Sequence, residues 1–240
     1  MSSYSAQLQE EQHAVARAND RLDAWRAQAR SRLDTGRAAG SHGSPPQRTE
    51  RDSFATMYEY RLTQLRAVED RLVFGRLDDV HGAHRYIGRI GLSDENHEPI
   101  LTDWRADAAR PFYEATPSSH GDIVMRRHIT LNFREVVGVE DEVLDVHSDQ
   151  VGEASSNGTL TGEGALLASL NAKRNGKMTD IVANIQGEQH RIIRADLNQA
   201  VVVQGGPGTG KTAVALHRAA YLLYTHRRAL QRSGVLVVGP

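Results

Sequence analysis

Apolar residues recur every seven positions at Leu8, Val15, Leu22 and Ala29, and Ala18 and Trp25 fall three places after Val15 and Leu22. This is the a/d seam of a paired helix, uninterrupted by proline, and it predicts one helix over residues 5–35. The stretch GRAAGSHGSPPQ, Gly36 to Gln47, breaks that helix with three glycines, two serines and paired prolines. A second helical pattern runs from about Thr49 to Arg76, with Phe54, Tyr58, Leu65, Val68 and Leu72 on one face. Two helices joined by such a turn predict an antiparallel hairpin. A seam closed between the two helices makes that hairpin a separable unit. The pattern alone speaks for a buttress packed on its own protein rather than a probe that enters another molecule.

From Arg85 to about Leu144 the period changes. RYIGRIGL, PILTDW, RPFYEAT, IVMRRHITLNF and EVVGVEDEVL are short apolar or alternating runs, separated by turn-rich pieces such as SDENHEP. They predict a small antiparallel β module. Ser148 to Gly164 reads as a linker. A short helix is expected near Ala165–Lys173, and another over Thr179–Arg194, capped by Thr179 and burying Ile181, Ile185 and Ile192. AVVVQ, ending at Gln204, and GVLVVGP, ending at Pro240, read as buried parallel strands around an amphipathic helix that runs to about Arg228. The expected fold class is α/β. It comprises an antiparallel coiled-coil hairpin over 1–80, a β-rich module over 81–147, a linker over 148–164, and over 165–240 the start of a P-loop, RecA-like parallel-sheet ATPase domain.

Charge narrows the partners. The formal net charge is -1, and residues 1–80 hold twelve acidic and twelve basic side chains, so neither the chain nor its hairpin has the footprint of a nucleic-acid arm. The absence of cysteine excludes disulfides and thiolate metal sites and fits a reducing cytoplasm. No apolar run approaches 18 residues and no basic-then-apolar start is present, which predicts neither a membrane span nor a signal peptide.

The strongest chemical signal is Gly205-x-x-x-x-Gly210-Lys211-Thr212, set between a strand pattern and a helix pattern. Glycines 205, 206, 208 and 210 let the backbone curl around phosphate oxygens. The helix N-terminus adds partial positive charge. Lys211 can reach β- and γ-phosphates, and the Thr212 hydroxyl can ligate Mg²⁺. The expected nucleotide-binding set is Gly205, Gly206, Pro207, Gly208, Thr209, Gly210, Lys211, Thr212 and Ala213, with Lys211 and Thr212 as the catalytic pair. Gln189, in IQGEQHRIIR, stands 22 residues before Lys211.

Three other groups carry less. His81 and His84 form an HxxH pair with no third ligand in sight and read as a solvated turn. Arg126, Arg127 and His128 form a basic patch, read as a solvated strand end or as a contact for nucleic acid or an acidic surface. Asp145, His147 and Asp149 alternate without a nearby nucleophile and read as structural.

IQGEQHRIIR followed by VVVQGGPGTGKT resembles the superfamily 1 helicase-type ATPases of the UvrD/Rep group. The resemblance implies that Gln189 reads the adenine edge, and so ATP rather than GTP. YIGRIGL…EPILTDWRADAARPFYEAT, LLASLNAKRNGKMTDIVANIQGEQHRIIRA and VVVQGGPGTGKTAVALHRAAYLLYTHR resemble the HelD group over roughly residues 70–240. Asp107 departs from that pattern, which has proline after WRA. The resemblance implies a helicase-like ATPase, with ATP and Mg²⁺ as cofactors, that binds the bacterial RNA polymerase core. It would insert residues 1–80, tip 36–47, into the secondary channel and use ATP to remodel, release or recycle polymerase. Some relatives also counter rifamycin-type inhibitors, and DNA contact by the intact protein is implied as well. On this basis the hairpin moves from buttress to probe. Residues 36–47 hold no Asp or Glu, so the probe is expected to act sterically or as an anchor and not through a metal-holding carboxylate.

Hydrolysis needs a later-strand carboxylate for Mg²⁺ and arginines at the γ-phosphate. No strand ending in Asp-Glu follows the loop, so the chain is expected to be part of a longer ATPase and inactive by itself. Two alternatives stay open: a UvrD/Rep-type translocase on single-stranded DNA, and a truncated, non-catalytic polymerase-binding adaptor.

Overall fold

A computed structural model describes residues 3–38, 45–145, 185–230 and 232–238. Helix α1 spans Ser3–Ala38 and α2 spans Pro45–Arg66. The heptad residues Val15, Ala18, Leu22 and Ala29 are buried, and Leu33 continues the stripe. Pro45 opens α2 instead of stopping a helix, because a fixed φ and a missing N–H suit the first turn.

The second helix ends at Arg66, short of the expected Arg76. A 3₁₀ turn at Glu69–Arg71 follows, and then strand β1, Val73–Asp79. Leu65 and Leu72 keep helical spacing because both face one core, although only Leu65 lies on the helix. Phe54, expected on the seam, is half-exposed, and Leu62 takes that place against Ala29 and Leu33.

The other strands are β2 His84–Gly88, β3 Leu92–Ser93, β4 Pro99–Asp103, β5 Ile123–Asn132 and β6 Glu135–Val143. They form one six-stranded sheet in the order β3-β4-β2-β1-β5-β6. Neighbours are antiparallel except β2 and β4, which pair in parallel. RPFYEAT is not a strand. Pro111–Glu114 makes a single helical turn, α3, that buries Phe112 and Tyr113. Gly75 in β1 admits the Phe112 ring, which a Cβ at that position would overlap.

The helical seam is not closed within the hairpin. Val15, Ala18 and Leu22 pack with Leu65 and Leu72 against Val73, Leu92, Leu101, Ile129, Val136 and Val139 of the β module. Only the distal cluster, Ala29, Leu33 and Leu62 with Ala55 and Tyr58, is helix on helix. The first half of α1 is therefore a cover for the sheet. Residues 1–76 are not a separable unit, since removing them bares this face and cuts β1.

Charge reinforces the seat. Glu11 of α1 is 0 % exposed and accepts from Arg76 Nη1 at 2.5 Å and Arg127 Nη1 at 2.7 Å. Arg127 also binds Asp141 through two bonds of 2.6 and 2.7 Å, and Arg76 binds Asp78 at 2.9 Å. The expected solvated patch at 126–128 is thus a buried network. Arg126 pairs with Glu142 and donates to the Phe112 carbonyl at 2.7 Å. Burial pushes the His128 pKa down to about 4.

Three short helices complete the described chain: α4 Gly187–Ile193, α5 Lys211–Thr225 and α6 Arg227–Leu230. Within the described residues the helix expected over Thr179–Arg194 is present as Gly187–Ile193, with Gln186 extended as its N-cap. Ile185 is buried ahead of the helix, and His190 and Ile193 supply its buried face. Thr179, Ile181, His147, Asp149, the linker 148–164 and the helix near 165–173 lie outside the described residues. The two expected parallel strands are not formed among the described residues. Val202 is 93 % and Leu236 87 % exposed. Parallel strands are stable when paired and covered on both faces, and neither segment has a pairing partner here. The described residues form a mixed helix-and-sheet fold, and the parallel-sheet start of an ATPase domain is not formed among them. Among the described residues no helix is long and apolar enough to cross a membrane.

Candidate functional site

The glycine loop is shaped by its backbone. Gly208 and Gly210 sit at φ 79° and 82°, a region that side-chain-bearing residues rarely adopt, and Gly210 forms the N-cap of α5. A Cβ on Gly205 would meet Thr209 Oγ1 at 2.8 Å, whereas Gly206 and Gly208 face open space. Thr209 Oγ1 donates to the Gly206 carbonyl at 2.9 Å. Lys211 Nζ folds back over the loop and donates to the carbonyls of Gly205 and Gly206 at 2.7 and 2.6 Å. The ammonium thus stands over the loop, where a phosphate could take over its hydrogen bonds. Pro207 and Thr212 are exposed, so the Thr212 hydroxyl is free to approach a ligand from the first turn of α5. The Ala213 methyl is buried, which leaves only its backbone N–H for a ligand.

Gln189 is brought to this loop. Its Nε2 lies 3.7 Å from where a Cβ on Gly210 would stand. Its Oε1 accepts from the Gln186 backbone N–H at 3.4 Å, a long bond that is easily exchanged for a better one. Residues read from two separate motifs therefore share one corner. An adenine could use the amide in both directions, as donor and acceptor, and a polyphosphate fits the open curve of the loop. For a metal ion, Thr212, next to Lys211 in the chain, offers an exposed position with a side-chain oxygen, whereas the Thr209 hydroxyl is bonded to the Gly206 carbonyl.

The residues that fasten this corner to the β module carry no local sequence signal. His190 is 0 % exposed, stacks on Tyr113 with ring centroids 4.4 Å apart, and meets Glu114 Oε1 through Nδ1 at 2.9 Å. Arg194 Nε donates to His190 Nε2 at 3.0 Å. Arginine has no acceptor, so Nε2 must accept and Nδ1 must carry the hydrogen that goes to Glu114. Burial pushes the His190 pKa down to about 4, against the Glu114 hydrogen bond that raises it, which keeps the ring neutral near pH 7. Burial also opposes the charge on Glu114, but bonds from Arg110 and His190 outweigh it and hold that carboxyl below its ordinary range.

Arg194 reaches Asp107 Oδ1 at 2.7 Å and the carbonyls of Arg105 and Ala106 at 3.0 and 2.8 Å. Asp107, the departure from the HelD pattern, is thus tied to α4. Arg218 of α5 closes the C-terminal end of α4, donating to the carbonyls of Ile192, Ile193, Ala195 and Asp196. Trp104 meets His217 edge-on at 5.6 Å, and Arg105 covers the Tyr224 ring at 4.6 Å.

The weaker sequence candidates lie apart from this corner. His84 Nδ1 contacts Asp78 Oδ1 at 2.7 Å, so it is paired and not merely solvated. His81 contributes a backbone N–H to Asp79 Oδ1 at 2.9 Å. Among the described residues no group of three or more His, Asp or Glu side chains could hold a metal ion.

A family model for the UvrD/REP helicase N-terminal domain matches residues 185–239, the stretch that holds both the glutamine-bearing helix and the glycine loop. A family model for the DNA helicase IV HelD N-terminal domain matches residues 8–156, more than half of the chain. The chain belongs to this HelD helicase family, as the resemblance over residues 70–240 implied. No curated protein matches it.

Proposed function

We propose that this chain is the polymerase-facing and nucleotide-loading part of a HelD-type ATPase. In this reading ATP and Mg²⁺ are its cofactors, and the bacterial RNA polymerase core is its partner. The observation that carries the nucleotide half is the meeting of Gln189 with the loop at Gly210, beside Lys211. Lys211 and the backbone from Gly205 to Ala213 would hold the phosphates, Thr212 would hold the metal ion, and Gln189 would read the adenine edge. Bound Mg²⁺ would supply charge neutralisation between phosphate oxygens.

Gln189→Ala is expected to weaken ATP binding about three- to tenfold, the worth of one neutral hydrogen bond, and to leave GTP binding unchanged. Titrations with both nucleotides check this. An unchanged preference for ATP would mean that another residue reads the base.

The polymerase half draws support from the hairpin. α1 has 36 residues, roughly 54 Å of helix, and its distal cluster packs only helix on helix. The hairpin would enter the secondary channel with its tip at 36–47, and ATP would drive remodelling, release or recycling of polymerase. Relief of rifamycin-type inhibition belongs to the same reading. Replacing Gly36–Gln47 with a short turn is expected to lower polymerase affinity at least tenfold, about 1.4 kcal/mol, while the melting temperature moves little, because the sheet-seated half of α1 is untouched. Titration against core polymerase beside a thermal melt tests it, and full affinity of the shortened hairpin would overturn it.

The match to a UvrD/REP helicase domain favours one further reading, a translocase on single-stranded DNA. ATP turnover by the intact protein that rises with single-stranded DNA and ignores polymerase would select it.

A further inference from the structure

Helix α4 has seven residues. A helix of two turns has no stability of its own in water, so its position and its rotation about its axis come from what it touches. Successive residues point about 100° apart. Gln189 faces the loop, and its neighbour His190 faces the β module. Whatever fixes His190 therefore also fixes the direction of Gln189.

Three contacts do so from the β-module side. A Cβ on Gly187 would stand 3.0 Å from the Tyr113 carbonyl, so the start of α4 lies close against α3. Tyr113 stacks flat on the His190 ring, with 17° between the planes. Glu114 and Arg194 then hold the two ring nitrogens from opposite sides at 2.9 and 3.0 Å, which sets the ring's rotation as well as its depth. An apolar side chain could fill the same volume, but it would not specify that rotation.

We propose that His190 is a positioning residue for base recognition: held between Glu114 and Arg194, it aims Gln189 at the nucleotide, so that the β module and not Gln189 alone sets adenine selectivity. The proposal rests on the ATP-binding reading above. It makes Glu114 and Arg194 parts of the same device, acting through His190 without touching the base.

Titrations of the whole chain with ATP, GTP and tripolyphosphate test it. His190→Leu should lower the ATP-to-GTP affinity ratio about three- to tenfold, the loss of one well-aimed hydrogen bond, and leave tripolyphosphate affinity within about twofold. His190→Asn, whose carboxamide can keep the bond to Glu114, should largely retain the ratio. Glu114→Ala, at a half-buried position, should shift the ratio in the same direction as His190→Leu and covers the case in which that variant does not fold. Adding His190→Leu to Gln189→Ala should lower the ratio no further, because both act through one amide. An unchanged ratio in His190→Leu and Glu114→Ala with a lowered melting temperature would overturn the proposal and leave His190 a core residue. Parallel losses for ATP, GTP and tripolyphosphate would overturn it too. Tripolyphosphate and ATP binding that is indifferent to Lys211→Ala would instead remove the ATP reading on which it rests.

Discussion

Lys211→Ala is expected to abolish ATP binding by this chain and ATP turnover by the intact protein. Lys211 is the only cation between Val201 and Thr212. Its Nζ already lies over the loop, bonded to the carbonyls of Gly205 and Gly206. Removing it leaves a bound polyphosphate with backbone N–H groups and a helix end, a partial charge where a full one stood. Loss of even one preorganised neutral donor at an anionic site costs roughly 10²–10³ in rate, and Lys211 adds a full charge to its hydrogen bonds. Paired ATP titrations and turnover assays measure the effect, and equal values for variant and wild type would sink the P-loop assignment. Thr212→Ala should spare ATP binding measured without Mg²⁺ and weaken binding measured with it, which separates the two side chains.

Glu11→Ala should produce the largest loss of stability of any single change in the hairpin. Glu11 is completely buried and shared by Arg76 and Arg127, themselves 4 % and 3 % exposed. Burial works against the charge on Arg76, but Asp78 and Glu11 outweigh it and hold its pKa above the ordinary arginine value. Taking out the carboxylate leaves two buried cations short of a partner, at a cost of about 3–5 kcal/mol. For a chain of this size that lowers the melting temperature by roughly 6–20 °C. Denaturant titration with a thermal melt reads it directly. A loss under about 1 kcal/mol would mean that α1 is not held to the sheet by this network. The same test separates the two halves of the hairpin, because a tip replacement should leave stability almost unchanged while Glu11→Ala unseats α1.

The glycine loop and Gln189 were legible because their information is local. A loop is named by residue types at fixed offsets, and the 22-residue spacing to the glutamine is visible in one dimension. The residues that aim the glutamine were not legible. Glu114 meets His190 across 76 positions, and Arg194 meets Asp107 across 87. A histidine beside the glutamine and an arginine after two isoleucines carry no pattern that announces a clamp. The one available hint was Asp107, a departure from the HelD pattern, which here supplies Arg194 with a carboxylate.

The sequence by itself determined the elements whose periodicity stands alone. The heptad of α1 and the alternation of β5 and β6 came through, because a helix or strand that buries one face must repeat its apolar residues at 3.6 or 2. Tertiary structure decided what those faces meet. The a/d seam says that α1 pairs with something, and only the folded chain shows the sheet taking half of it. Leu65, Val68 and Leu72 kept a helical interval while the backbone turned from α2 into β1, since burial constrains where side chains point and not which backbone delivers them. Arg126, Arg127 and His128 read as solvent-facing because charge alone suggests water, and the carboxylates that allow their burial come from Glu11, 116 positions from Arg127, and from β6. The apolar runs at 201–203 and 235–238 met the local requirement for buried strands, yet a parallel strand exists only through its neighbours, and there the apolar side chains lie open.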